Sequence, residues 1–169
     1  PQEPSIRLSV PIMTSQLLQS DLIHLLDALG LSKGETCYVA GNISALARTR
    51  LKKEVLLPTC LSAFQEVIGS DGTIFSPSAS MNLCNTDIPY DIANTPSHEM
   101  GAFAEHIRLA PESIRSFHPF WSISGIGKHA DILKNVSRHS YGDGSPWSNQ
   151  VSGQRCDQSS NSVGRAGYL

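Results

Sequence analysis

The chain has 169 residues, enough for one domain with its own hydrophobic core. A hydrophobic fraction of 40% and a charged fraction of 17% are typical of a globular chain and not of a disordered one. The net charge of −2 gives no reason to expect nucleic acid or a membrane surface as a partner, and no apolar run approaches the length of a membrane span. The first residues lack a signal-peptide pattern, so we expect a cytoplasmic protein.

The four cysteines are widely spaced and form no C-x-x-C pair, so neither a zinc site nor a disulfide framework is expected. They are Cys37, Cys60, Cys84 and Cys156. The charges, in contrast, are segregated: 54–107 holds seven carboxylates and no Lys or Arg, while the remainder holds thirteen basic and eight acidic residues. Two interpretations remain open, a solvated acidic face, or a cleft with one wall that attracts a polyamine and another that tolerates phosphates.

The N-terminal third predicts a possible edge strand at 6–10, then a helix and a buried strand. The helix begins at Thr14 or Ser15 and ends at Gly30. Its broad apolar face comprises Leu17, Leu18, Ile23, Leu25, Leu26 and Leu29. A β-branched and aromatic run at 36–40 predicts the strand. The small residues that follow it form a turn where a ligand can approach the backbone closely.

The middle of the chain predicts a second helix over 58–68 and a second buried strand over 73–76. A long loop over 78–94 follows, rich in Ser, Asn and Pro. It carries Asp87 and Asp91. Long ordered loops inside compact domains tend to be functional, so a binding role is expected here.

The stretch 94–130 is the most informative part of the sequence. Thr95-Pro96-Ser97 predicts a helix start, and the helix then carries one apolar stripe. That stripe comprises Met100, Phe103, Ala104 and Ile107. The run Arg115-Ser116-Phe117-His118-Pro119 then places a cation, a hydroxyl and an imidazole together, before a short strand over 120–124 and a helix that ends near residue 136. Few purely structural roles require Arg, Ser and His so close together, so we predict that this stretch forms a functional site.

The motifs of this chain, taken in order, resemble the aminoglycoside 3-N-acetyltransferase family. They are T-P-S, M-G-x-x-A-E-x-x-R, P-x-x-x-R-S-x-H-P-x-x-S and G-x-x-A. These motifs are carried by Thr95, Pro96, Ser97, Met100, Gly101, Ala104, Glu105, Arg108, Pro111, Arg115, Ser116, His118, Pro119, Ser122, Gly127 and Ala130. The resemblance runs from about residue 15 to residue 147 and then fails.

Alternating helices and strands already predict an α/β fold. The resemblance adds a three-layer α-β-α arrangement with a mixed central sheet, of which 1–147 would be the N-terminal part and the final portion would be missing. Residues 148–169 have no hydrophobic run and read as a flexible tail. The implied activity is transfer of an acetyl group from acetyl-CoA to an amino group of an aminoglycoside or amino sugar, which is an antibiotic-resistance activity. The implied partners are coenzyme A and a small-molecule amine, without a metal.

The resemblance also implies site residues. The cofactor would contact Gly41, Asn42, Arg115, Ser116, His118 and Ser122, and the amine substrate would contact Asp87, Asp91 and Glu105. Where the family usually shows His-Ser-Ser-Leu, this chain has Ala-Gly-Asn-Ile, which removes two hydroxyls. A purely structural alternative pairs Arg115 with Glu105 or Glu112 and bonds His118 to a backbone carbonyl.

No catalytic residue is assigned. The family's catalytic His, followed by an acid, would lie beyond residue 147, and 148–169 contains no His, so we expect little or no turnover from this chain alone. Two alternatives remain: an amino-sugar acyltransferase of surface polysaccharide synthesis, and a truncated relative that binds ligand without turnover. The G-x-G-x-x-A run at 125–130 and a Ser-His-Asp hydrolase are weaker readings, because no second βαβ strand and no G-x-S-x-G elbow follow.

Overall fold

The computed structural model describes residues 14–148. Its helices are α1 (Ser15–Ala28), α2 (Lys53–Ile68) and α3 (Ala102–Leu109), and its strands are β1 (Thr36–Tyr38), β2 (Thr73–Pro77), β3 (Ile114–Arg115) and β4 (Ile123–Gly127). Short 3-10 helices span Ile43–Thr49, Met81–Leu83 and Ala130–Asn135. The predicted strand at 6–10, the tail from residue 149 and Cys156 lie outside the described residues.

The four strands form one mixed sheet in the order β1-β2-β4-β3, which confirms the predicted α/β class. β1 and β2 run parallel, and their connection contains α2, as a parallel crossover requires. β4 runs antiparallel to both β2 and β3. The segment that joins β3 to β4, residues 116–122, is called the hairpin loop below.

Helical layers cover both faces of this sheet. Successive strand residues point to opposite faces, so the strands present apolar side chains to both layers. On one face the core contains Leu57, Ile74, Phe103, Ile107 and Ile126, contributed by α2, α3, β2 and β4. On the other face it contains Phe75, Ile123 and Leu133, the last from the 3-10 helix Ala130–Asn135. Burial of each such side chain contributes about 1.5–3 kcal/mol. The three layers place the hairpin loop beside the carboxyl end of β2.

Two helices begin elsewhere than predicted. α2 starts at Lys53, five residues before the predicted start, and Pro58 lies inside it. The helix tolerates this proline because its ring is exposed and only one intrahelical N–H is lost. The prediction that a helix begins at Thr95 is wrong, since α3 starts at Ala102. Glu99 (φ 59°) and Gly101 (φ 91°) are both left-handed, a conformation that a helix cannot continue through.

Two further predictions need correction. The apolar face of α1 is narrower than expected, because Leu17, Leu25 and Leu29 are about half exposed. The last strand spans Ile123–Gly127 instead of 120–124, so the glycines taken as a lead into a helix lie within the strand. Gly125 is required there because a Cβ would lie 2.5 Å from the Phe75 ring across the ladder.

Candidate active site

The predicted cofactor turn lies at the carboxyl end of β1. Gly41 and Asn42 are both exposed, and the Asn42 Oδ1 accepts a hydrogen bond from the Ser44 N–H at 2.8 Å, which caps the following 3-10 helix. Gly101, at the start of α3, approaches so closely that an added Cβ would lie 3.1 Å from the Gly41 carbonyl oxygen. Exposed backbone between two helix starts is suited to contact an anionic or amide-rich ligand.

The hairpin loop is fixed by its own side chains. The Ser116 Oγ accepts the Ile123 N–H at 2.9 Å, and the His118 Nδ1 accepts the Trp121 N–H at 3.0 Å. The His118 Nε2 lies 3.2 Å from the Ser140 Oγ. Because Nδ1 is an acceptor, the neutral ring carries its proton on Nε2 and donates it to Ser140. His118 therefore lacks a free ring nitrogen for a substrate proton.

Arg115 in β3 is buried, and all five of its guanidinium donors are used inside the protein. Nε donates to the Ser122 Oγ (3.2 Å), and Nη2 donates to the Ser80 Oγ (2.9 Å) and the Ser78 carbonyl. The acceptors of Nη1 are the main-chain carbonyls of Thr95 and Ile92. Its partners are thus hydroxyls and carbonyls, and not the carboxylates of Glu105 or Glu112 that the structural alternative named.

A cluster of buried serines, of which the sequence had indicated only Ser122, lies around this guanidinium. It comprises Ser76, Ser78, Ser80, Ser122 and Ser124. The Ser122 Oγ donates to the Ser78 carbonyl at 2.6 Å, and the Ser124 and Ser78 hydroxyls lie 3.0 Å apart. Buried hydroxyls need partners, and those of Ser76 and Ser80 donate to the carbonyls of Val39 and Pro96 outside the cluster. The signal was the alternation of serines in S-P-S-A-S over 76–80, which starts within β2.

Glu105, predicted to bind substrate, pairs with Arg108 one turn later in α3. Both Glu105 carboxylate oxygens accept from the Arg108 guanidinium, at 2.7 and 2.8 Å, and Oε2 also accepts from the Ser97 hydroxyl and N–H. Burial raises the pKa of this carboxyl, but the bonds from Arg108 and Ser97 outweigh it and lower the pKa from 4.5 to about 2. The carboxylate therefore stays ionised beside the site.

The two loop acids differ in their surroundings. Asp91 accepts the N–H groups of Ala93 and Asn94 and the Asn94 side-chain amide, and these bonds lower its pKa. Asp87 is exposed. Between them, the Tyr90 ring lies 5.1 Å from the Arg115 guanidinium, and burial raises the pKa of its hydroxyl. The loop thus exposes both carboxylates, and its Tyr90 ring lies beside the buried Arg115 cation.

A cavity of about 340 Å³ opens between this loop and α3, lined by Ile92, Ala93, Arg108, Leu109, Ser113 and Arg115. Its lining includes the guanidinium groups of Arg108 and Arg115 and no carboxylate, so the cavity disfavours a polycation. The Ser113 Oγ beside it is buried without a hydrogen-bond partner.

Four of the predicted site residues lie in one hairpin, at the end of the sheet where β1 and β2 also end. Arg115, Ser116, His118 and Ser122 share the β3–β4 hairpin, and its Pro119 carbonyl accepts the Ser80 N–H. Gly41 and Asn42 follow β1, which is the edge strand opposite β3, while Glu105 lies in α3 and Asp91 in the loop before it. Asp87 has no described link to the hairpin. Their contacts with ligands stay predictions.

Substitution of His118 separates its role in the hairpin loop from a role as base. We expect His118→Ala to lower the free energy of unfolding by about 1–2 kcal/mol, because the Trp121 N–H loses its acceptor. His118→Asn, whose Oδ1 can replace Nδ1, should recover most of the loss. Urea denaturation followed by Trp fluorescence measures both. Equal stability of wild type and His118→Ala would contradict the assignment.

The same imidazole predicts a pH dependence. Burial lowers the pKa of His118 below its ordinary 6.5, so the unfolded chain takes up a proton first as the pH falls. The stabilisation from His118 is therefore full above pH 6.5 and declines below it.

Within residues 14–148, no group of three or more His, Cys, Asp or Glu side chains is arranged to hold a metal ion, and no helix is long and apolar enough to cross a membrane.

Comparison with known proteins identifies relatives of this arrangement. The chain is 29% identical over 151 residues to the SPbeta prophage-derived aminoglycoside N(3')-acetyltransferase-like protein YokD of Bacillus subtilis (strain 168), covering 78% of this chain and 53% of that protein. The chain therefore spans about half the length of this curated relative. The crystal structure of YokD matches with a TM-score of 0.64 at 28% identity, over 76% of this chain and 58% of that one.

Two more distant structures share the fold. AAC-IIIb in a binary complex with CoASH matches with a TM-score of 0.68 at 22% identity, over 80% of this chain and 56% of that one. AAC-VIa bound to sisomicin matches with a TM-score of 0.65 at 22% identity, over 79% and 55%. The model of the family described as aminoglycoside 3-N-acetyltransferase matches residues 44–154, well over half of the sequence. The chain therefore belongs to the aminoglycoside 3-N-acetyltransferase family.

Proposed function

We propose that this chain binds acetyl-CoA and an aminoglycoside or related amino sugar, as part of an acetyl-CoA-dependent N-acetyltransferase. The observation that carries the proposal is the family match over 44–154, which includes residues 86–95 (called the acidic loop below), α3 and the whole hairpin loop. Two structural neighbours, AAC-IIIb with CoASH and AAC-VIa with sisomicin, carry the two kinds of ligand that the proposal requires.

The cofactor is proposed to lie along the edge formed by the Gly41-Asn42 turn and the hairpin loop. The exposed turn offers backbone groups, while the hairpin offers its outer surface. Ser116 and Ser122 are buried with their hydroxyls bonded internally, so in this proposal they shape the wall of the site, while the buried Arg115 bonds to Ser122 from inside the protein. Any direct bond they make to the coenzyme requires one of these internal bonds to open.

The amine acceptor is proposed to lie over the acidic loop. Asp87 and Asp91 are exposed carboxylates in a part of the sequence with no Lys or Arg, so they attract a polyamine, and salt should weaken that attraction. Glu105 adds a third carboxylate that is less exposed than these two, and the Arg108 guanidinium partly balances its charge.

Ligand binding to the purified chain tests this proposal. Acetyl-CoA should raise the melting temperature, and sisomicin should bind with an affinity that falls as salt increases. Asp87→Asn combined with Asp91→Asn removes two charges, while the side-chain amide oxygen introduced at position 91 can still accept the loop N–H groups. This pair should weaken sisomicin about tenfold and leave acetyl-CoA unaffected.

The matched control is Glu112→Gln with Asp143→Asn, which removes two exposed charges elsewhere. Sisomicin binding that is insensitive both to salt and to the loop pair would make the loop a solvated face. Absence of any acetyl-CoA effect would remove the transferase proposal for this chain. Release of free thiol from acetyl-CoA reports whether bound ligands react.

One observation favours an alternative acceptor. The cavity lined by Arg108 and Arg115 is positive, which suits the phosphates of a nucleotide-linked amino sugar better than a polycation. An acyltransferase of surface polysaccharide synthesis would use such an acceptor. A nucleotide-linked amino sugar in the same assay decides between them, because only this alternative predicts that it binds more tightly than sisomicin.

A further inference from the structure

We infer that Arg115 is a positioning residue for the acidic loop, and that it acts on the amine acceptor through the loop instead of contacting coenzyme A. The inference deepens the proposed function and depends on it for the identity of the acceptor. The inference is based on the five oxygens inside the protein that accept hydrogen bonds from the buried Arg115 guanidinium.

Three separate segments meet at this guanidinium. The Ser78 carbonyl and Ser80 hydroxyl follow β2, and the Ser122 hydroxyl ends the hairpin loop. The Ile92 and Thr95 carbonyls belong to the acidic loop. Arg115 therefore ties the acidic loop to the two central strands of the sheet.

The loop residues that Arg115 holds form one closed turn. The Thr95 N–H donates to the Asp91 carbonyl at 2.9 Å, and the Asp91 N–H donates to the Thr95 Oγ1 at 2.8 Å. The Asp91 carboxylate is fixed inside the same turn by Ala93 and Asn94. Because the turn moves as a unit, holding its Ile92 and Thr95 carbonyls also sets the position of the Asp91 carboxylate.

Besides Arg115, bonds from Arg108 and Tyr90 anchor this turn, and just beyond it the Pro96 carbonyl accepts the Ser80 hydroxyl and the His98 N–H donates to the Ala79 carbonyl. Arg108 Nη1 donates to the Ala93 carbonyl at 2.8 Å, and the Tyr90 hydroxyl donates to the Ser116 carbonyl at a longer 3.4 Å. Most of 84–94 is exposed. Loss of the Arg115 bonds should therefore release the loop before it affects the sheet.

The geometry requires arginine specifically. A planar guanidinium offers five donors in a fixed fork, whereas a lysine ammonium offers three on a flexible stem. Arg115→Lys keeps the positive charge and can reach only part of the five oxygens. The variant therefore removes positional control while largely preserving the electrostatics.

The experiment compares Arg115→Lys with Arg138→Lys, a control in which an exposed guanidinium over the Phe117 ring is changed in the same way. We expect Arg115→Lys to weaken sisomicin about tenfold, the size of effect that loss of one hydrogen bond to a charged group produces. Acetyl-CoA affinity should stay within about twofold. Amide hydrogen exchange at 86–95 should accelerate at least about tenfold, with β4 amides unchanged.

Each contrary result is distinct. A loss of acetyl-CoA affinity with sisomicin retained would make Arg115 a cofactor residue, and unchanged exchange at 86–95 would overturn the positioning role. If the wild type binds no sisomicin, the proposed acceptor class fails, while the exchange comparison still decides the role of Arg115.

A second variant covers the case in which Arg115→Lys does not fold. Ser80→Ala removes one hydroxyl acceptor of the guanidinium and the Ser80 bond to the Pro96 carbonyl. It should accelerate exchange at 86–95 in the same direction by a smaller factor. Faster exchange in β2 and β4 with 86–95 unaffected would overturn the inference.

Discussion

Gly127→Ala should prevent the chain from folding, whereas Gly142→Ala should be tolerated. Both glycines have left-handed φ, 117° and 92°, so each substitution carries a conformational cost of about 1–2 kcal/mol. The two positions differ in the room that is available for an added Cβ atom. A Cβ at Gly127 would lie 2.2 Å from the Gly72 carbonyl oxygen and 2.9 Å from the Thr73 Cα, while nothing lies within 4 Å of one at Gly142.

The obstacle at Gly127 is main chain, which a rotamer change cannot move. Gly127 pairs with Thr73 at the end of the β2–β4 ladder, so relief would separate the two central strands. We expect a loss of about 4 kcal/mol or more, comparable with the whole stability of a marginal domain. Circular dichroism and urea denaturation of both variants measure the difference. Equal stability of the two would contradict the close packing of Gly127 on Gly72.

The fold was predictable where local pattern and tertiary packing agree. The strand over 73–76 and the start of α1 at Thr14 or Ser15 follow from apolar runs and a capping hydroxyl, and the structure has them. The errors occur where a single residue overrides the pattern. Pro58 does not begin α2 as predicted, because its lost bond lies on the exposed side and the helix extends back to Lys53, and Glu99 interrupts the predicted third helix by adopting left-handed φ.

The sequence indicated which segment carries functional groups, but not how they are bonded. The side chains at 115, 116 and 118 are all hydrogen-bonded inside the protein, and their contact with a ligand stays a prediction. Sequence spacing could not show that the acceptors around Arg115 are main-chain carbonyls from Ser78, Ile92 and Thr95, because these groups are common to every residue. Which carbonyls converge depends on how the loops after β2 fold back, and only tertiary structure defines that.

The partly buried Glu105–Arg108 pair should make the protein acid-sensitive in a defined pH window. The folded pKa of Glu105 is about 2, against an ordinary 4.5, so the unfolded chain binds the proton first as the pH falls. The stabilisation is therefore full above pH 4.5 and is lost between pH 4.5 and about 2. Urea midpoints measured across this range should decline, and Glu105→Gln should flatten the decline.

The same variant measures the pair at neutral pH. Glu105→Gln leaves the Arg108 guanidinium, whose side chain is 5% exposed, without its counter-charge. Loss of one partner of a buried pair costs about 3–5 kcal/mol, and because the Glu105 carboxylate is about a quarter exposed, solvent screening reduces the expectation here to about 2 kcal/mol. Glu112→Gln, an exposed carboxylate just beyond α3, is the matched control and should change stability by less than about 0.5 kcal/mol. If both variants have the same urea midpoint from pH 3 to 7, the pair contributes nothing. Ser97 and the Ala93 carbonyl are bonded to this pair, so faster amide exchange of the segment before α3 and of the acidic loop in Glu105→Gln would show that both segments depend on it.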